Sequence, residues 1–175
     1  MSTPSGGSSL TTLHVKCLHC AGHFRVLALA ERKAVIKHLL IVEDNEQDLE
    51  LARVALELSD VRCAVSVARD GAEALDFLYR RGAYAGRPEG HPDLVLLDLK
   101  MPRVNGHEVL CTIKEDETLQ TMPVVIFTTS NLPQDRAASA ACGANEYVVK
   151  PEGFGAFVET INRLGQRWLA LEQSA

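Results

Sequence analysis

Glu43, Asp44, Asp98, Thr128 and Lys150 carry complementary chemistry, and each closes a short apolar run: "LLIVED", "LVLLD", "VVIFT" and "YVVK". Three carboxylates drawn together repel by about 4 kcal/mol per close pair at an effective dielectric near 20. Such a group needs a cation or must lose charge. Donors that are all oxygen suit Mg²⁺, which keeps several waters and binds through one or two carboxylates plus a phosphate. Lys150 supplies a fixed ammonium able to pair with Asp98 at rest and with a phosphoryl oxygen later, and the Thr128 hydroxyl can donate to the same group. The chemistry described is a phosphoryl-accepting carboxylate with Asp98 as nucleophile. Taken singly, Asp44 reads as a helix cap, Thr128 as a strand residue and Lys150 as a surface charge. Their coincidence at four strand ends carries the functional reading.

Positioning them requires a regular scaffold, and the hydrophobic pattern supplies one. Strands are predicted at 38–44, 61–68, 93–99, 124–128 and 146–150. Helices are predicted at 45–59, 71–81, 106–115, 133–142 and 154–171, the last with Phe154, Phe157, Ile161, Leu164 and Trp168 three and four apart. Strands one, three, four and five are almost continuously apolar, as expected of strands buried on both faces. Alternating strands and helices imply a doubly wound parallel α/β sheet of the flavodoxin-like (βα)5 type, in the order 2-1-3-4-5. Ligands in such sheets bind outside the carboxyl ends of the strands, where the five residues fall.

Composition narrows the remaining possibilities. Among 175 residues, 46% are hydrophobic and the net charge is −5, with Lys and Arg spread thinly, so no footprint for nucleic acid is expected. The opening "MSTPSGGSSL" has no basic start, and "VLALA" is too short for a signal core or a membrane span, so a cytoplasmic location and no membrane partner are expected. Residues 1–37 read as a leader, disordered at its start and with a short helix over 24–37; residues 38–172 read as the folded domain. The five cysteines are an odd number, and Cys63, Cys111 and Cys142 lie within regular elements, which argues against a disulfide framework. Cys17, Cys20 and His23, with His14 or His19, have the look of half a zinc site, but no second ligand pair stands at a usual spacing.

"LLIVEDN", "DLVLLDLKMPRVNG", "PVVIFTTS" and "EYVVKP", in that order, resemble the signature segments of response-regulator receiver domains over residues 38–171. The resemblance implies that Asp98 accepts a phosphoryl group from a histidine kinase. It implies that Mg²⁺ is held at the acidic pair Glu43 and Asp44, by Asp98 and by the backbone carbonyl of Lys100. It also makes Thr128 the switch hydroxyl, Tyr147 the switch aromatic and Lys150 the essential lysine. Lys100 and Ser130 occupy positions that in the family influence phosphate lifetime, and Pro151 resembles a proline whose peptide bond is usually cis. The long loop at 81–91 and "FTTSN" are similar to single-domain regulators partnered with bacterial and cyanobacterial phytochromes. With only "LEQSA" after the last helix, the expected output is binding to a downstream protein or phosphocarrier. A homodimer through helix four, strand five and helix five, with Trp168, Leu169 and Leu171 as contacts, is the expected self-association. Two other readings are a phosphohydrolase, which wants an acid where Lys100 stands, and a scaffold that has lost the chemistry, against which the intact residue set argues.

Overall fold

The computed structural model describes residues 36–59 and 61–170. The elements are β1 (Lys37–Val42), α1 (Glu46–Glu57), β2 (Cys63–Ala68), α2 (Gly71–Leu78), β3 (Leu94–Leu97), α3 (Gly106–Glu115), β4 (Val124–Thr128), α4 (Pro133–Ala141), β5 (Glu146–Val149) and α5 (Phe154–Leu169). The strands form one parallel sheet in the order β2-β1-β3-β4-β5, as expected. Because side chains alternate across a strand, Leu40, Val42, Val95, Leu97 and Ile126 point to the α2/α3 face. Leu39, Ile41, Leu94, Leu96 and Phe127 point to the α1/α5 face. This double burial is why β1, β3 and β4 read as unbroken apolar runs.

Several expectations need correction. β5 is an edge strand and half-buried throughout, despite its apolar sequence. On α5, Phe157, Ile161 and Leu164 are buried, but Phe154, the first helical residue, is 51% exposed. Leu169, expected as a self-association contact, is buried in its place, and the Trp168 indole N–H donates to Glu146 at 3.2 Å. Cys111 of α3 and Cys142, just past α4, are joined in a disulfide with their Cα atoms 5.2 Å apart. An odd cysteine count therefore does not exclude a single bonded pair. The leader helix, the Cys17/Cys20/His23 cluster and Leu171 lie outside the described residues.

The loop at 81–91 is a packed feature. Its Arg87 guanidinium lies 4.3 Å from the centre of the Phe77 ring and donates to the carbonyls of Phe77 and Gly90. Phe77 also meets the edges of Tyr84 and His38. His38, bonded through Nε2 to the Ser66 hydroxyl at 2.9 Å, is held below the usual imidazole range by burial and by Arg87, against a smaller pull from Asp93. Its proton therefore binds more tightly in the unfolded chain. Its stabilising contribution is complete above the ordinary value of 6.5 and is lost as pH falls through the lower folded-state value. Urea titrations from pH 7.5 to 5.5 are expected to show a stability difference between the wild type and His38→Gln that shrinks as the pH falls.

Candidate functional site

The strand register fixes which residues meet. Val42 pairs with Leu97 and Leu97 with Ile126, while Thr128 pairs with Val149, so the next residues of β1, β3 and β5 emerge at one rim. The ladder bonds continue one step beyond the strands: Asp98 N–H donates to Val42 at 3.0 Å and Lys150 N–H to Thr128 at 2.7 Å. Glu43, Asp44, Asp98, Thr128 and Lys150 thus share the carboxyl edge of the sheet. The acidic pair sits just past β1, which ends at Val42 rather than at residue 44.

At that rim the Lys150 ammonium is buried and lies 2.5 Å from Glu43 Oε2, 2.8 Å from Asp48 Oδ2 and 3.6 Å from Asp98 Oδ2. Burial alone would depress its affinity for a proton, but the surrounding carboxylates hold it above the usual lysine range. Burial pushes Glu43 up to about 7, against the pull of Lys150. The Leu99 N–H donates to Asp98 Oδ1 at 2.7 Å, which fixes the carboxylate plane and turns Oδ2 toward Lys150. Glu43, Asp48, Asp98 and Phe127 line one pocket.

Asp48 was absent from the expected site. It belongs to α1, whose start is set by Asn45: the Asn45 side chain accepts from the Gln47 and Asp48 N–H groups, and the Asn45 N–H donates to Glu43 Oε1. That cap turns the first helical turn back over the strand end. The signal available in the sequence was an Asx residue followed three positions on by an acid.

Glu43, Asp44 and Asp98 offer oxygens that all lie within 4.8 Å of one another. Together with Asp48 they set four carboxylates against one ammonium, and Glu43 and Asp98 are buried. An all-oxygen donor set with an excess of negative charge fits a hard divalent cation. Lys100 is exposed.

Thr128 is fully buried at the end of β4, and its Oγ1 accepts from the Ser130 N–H at 3.3 Å. Ser130, also buried, donates its hydroxyl to Asp135 of α4. The half-buried Tyr147 donates its hydroxyl to the Ser130 carbonyl at 3.0 Å, and Arg136 of α4 stacks 4.5 Å over its ring. The Lys150–Pro151 bond is trans, contrary to expectation; no described peptide bond is cis. The ladder bond from Lys150 N–H to Thr128 already aims the lysine inward, and trans is the favoured isomer by roughly 0.5–1 kcal/mol.

With fold and site in view, the class is defined: residues 39–162 match the response regulator receiver domain, and the chain belongs to that family. It is a two-component signalling protein. Among its relatives, the response regulator Rcp1 of Synechocystis sp. is 35% identical over 133 residues, 76% of this chain and 89% of Rcp1. The phosphorylated cyanobacterial phytochrome response regulator RcpA superposes with a TM-score of 0.72 at 37% identity, over 77% of this chain and 95% of that one. The bacteriophytochrome response regulator AtBRR is 47% identical with a TM-score of 0.65, over 79% of this chain and 99% of its own.

Two substitutions probe how the site is held. Lys150→Met leaves Glu43 and Asp98 buried without their cation, which is expected to cost about 3 kcal/mol in urea unfolding, with part recovered by millimolar divalent metal. Gly106 opens α3 directly against the Asp98 backbone. A Cβ there would overlap the Asp98 carbonyl oxygen and stand 2.7 Å from Leu99 Cα. Gly106→Ala is expected to cost about 2 kcal/mol and to weaken divalent-cation binding by calorimetry, since the Asp98 loop must shift to admit the methyl group.

Proposed function

We propose that this chain is a stand-alone response regulator that accepts a phosphoryl group on Asp98 from a phytochrome-type histidine kinase. The observation that carries this reading is the fixed Asp98 carboxylate, one oxygen held by the Leu99 N–H and the other facing Lys150. Phytochrome partnership rests on the relatives named above and on the packed 81–91 loop. Mg²⁺ is the proposed cation, held by Glu43, Asp44, Asp98 and the Lys100 backbone carbonyl. When bound, it offsets charge on the incoming phosphoryl group.

The chain's own residues do the rest. Asp98 Oδ2, oriented and partly desolvated, is the attacking atom. Lys150 is shared among Glu43, Asp48 and Asp98 at rest, and a new group of about −1.5 to −2 charges, by analogy with hydroxyl phosphates, competes for that ammonium. The Thr128 hydroxyl can donate to the same group. Its turn toward the phosphoryl breaks the contact with the Ser130 N–H, and Tyr147, bonded to the Ser130 carbonyl, follows. Phosphorylation thereby shifts the population of arrangements of α4, β5 and α5. That face is the one offered to a downstream protein, a phosphocarrier or a second copy in a homodimer.

The test is incubation with a small phosphodonor and Mg²⁺, read by intact mass. One phosphoryl group per chain is expected, with loss of incorporation in Asp98→Asn and on chelation of the metal. Transfer from a phytochrome-type kinase should outpace transfer from unrelated kinases. Undiminished labelling of Asp98→Asn contradicts the assignment.

A further inference from the structure

Helix α4 is anchored unlike its neighbours. α3 buries Val109, Leu110 and Ile113, and α5 buries Phe157, Ile161 and Leu164. Along "PQDRAASAA" the only buried residue of α4 is Ser139. Its N-terminal turn is tied by polar contacts, Asp135 to Ser130 and Arg136 to Tyr147. Its C-terminal end is tied by covalent linkage of Cys142, the C-cap residue, to Cys111 of α3. A helix without an apolar face has little packing to hold it when a tie is cut.

The two cysteines are suited to reversible bonding. Their Cα atoms are 5.2 Å apart, within the ordinary disulfide range of about 4.4–6.8 Å. Both residues are half-buried rather than sealed in the core. Lys114, one turn beyond Cys111, passes along the residue after Cys142: its Cγ lies 3.5 Å from where a Cβ at Gly143 would stand. Its ammonium is held by the carbonyls of Gln120 and Met122 and by the Asn145 side chain.

We infer that Cys111 and Cys142 form a second modification site, a dithiol–disulfide pair that exchanges with low-molecular-weight disulfides and sets how firmly the C-terminal end of α4 is held. One thiolate attacks the external disulfide RSSR, forming a protein–S–SR bond and expelling RS⁻. The second thiolate attacks the protein sulfur of that bond, closing Cys111–Cys142 and expelling the second RS⁻. The two protein thiols give up two electrons and RSSR takes them, and the two protons end on two RSH. Excess dithiol reverses the sequence. This site does not depend on the reading of Asp98.

The experiment uses the full chain carrying Cys17→Ser, Cys20→Ser and Cys63→Ser, so that only the pair remains. Cys63, whose thiol is pushed up by burial, is the third described cysteine. The protein is treated with oxidised glutathione or with dithiothreitol, then alkylated, digested and mapped. Oxidation is expected to remove both thiols and to yield a linked peptide pair containing Cys111 and Cys142. Hydrogen exchange over 133–143 is expected to be at least about tenfold slower in the oxidised form, with α1 unchanged. Cys142→Ser in the same background, checked for folding by circular dichroism, should exchange at the reduced rate under both treatments. Persistent alkylation of both cysteines after oxidation, glutathione retained on either one, or equal exchange over 133–143 in the two forms overturns the inference.

Discussion

A single buried ammonium facing three carboxylates sets the terms for the whole rim. Lys150 comes from the edge strand, Glu43 from the end of β1, Asp98 from the end of β3 and Asp48 from the first turn of α1. Bringing these groups out of water costs several kcal/mol per ion, and a buried ion pair of this kind is often no better for stability than apolar residues of similar volume. The cluster is therefore a poor device for holding three strand ends and a helix start together. Its distinguishing property is an excess of carboxylates over ammonium in a partly desolvated place. An arriving cation or a rearranged ammonium then has a large electrostatic effect, because few waters stand ready to screen it.

The rest of the structure keeps that imbalance in register. A one-residue slip between parallel strands would send every side chain to the opposite face. The apolar residues on both faces of β1, β3 and β4 make such a slip expensive. Asn45, three residues past the end of β1, begins α1 and in doing so sets both Glu43 and Asp48. Gly106 lets α3 begin in contact with the Asp98 backbone, where no larger residue fits without movement. Core and site are thus coupled through short covalent distances rather than through long-range networks.

What the amino-acid sequence made legible followed from periodicity. Strand order, helix placement and the gathering of Glu43, Asp44, Asp98, Thr128 and Lys150 at one edge all depend on alternation along the chain and on the handedness of parallel crossovers. What escaped it depends on three-dimensional detail. Asp48 sits on a helix, so a search of strand ends passes it by, although the Asn45 cap brings it within 2.8 Å of Lys150. Phe154 keeps the spacing of the α5 stripe but stands at the helix's first position, where it remains exposed. Cys111 and Cys142 are 31 residues apart, and their meeting depends on how α3 and α4 pack, which no local pattern encodes.

Stabilisation is shared unevenly among the helices. Burying Phe157, Ile161, Leu164 and Leu169 contributes roughly 1.5–3 kcal/mol each on α5. The polar contacts at the start of α4 contribute on the order of 1 kcal/mol each. α5 is therefore held by apolar burial, whereas α4 is held by polar contacts at its start and by the Cys111–Cys142 bond at its end. The contacts that hold the start of α4 run through Ser130 and Tyr147, and Ser130 in turn contacts the Thr128 hydroxyl at the rim. If Asp98 takes up a phosphoryl group as proposed, a displacement of the Thr128 hydroxyl would reach α4 through Ser130, and α4 is the helix with the least apolar burial to oppose it.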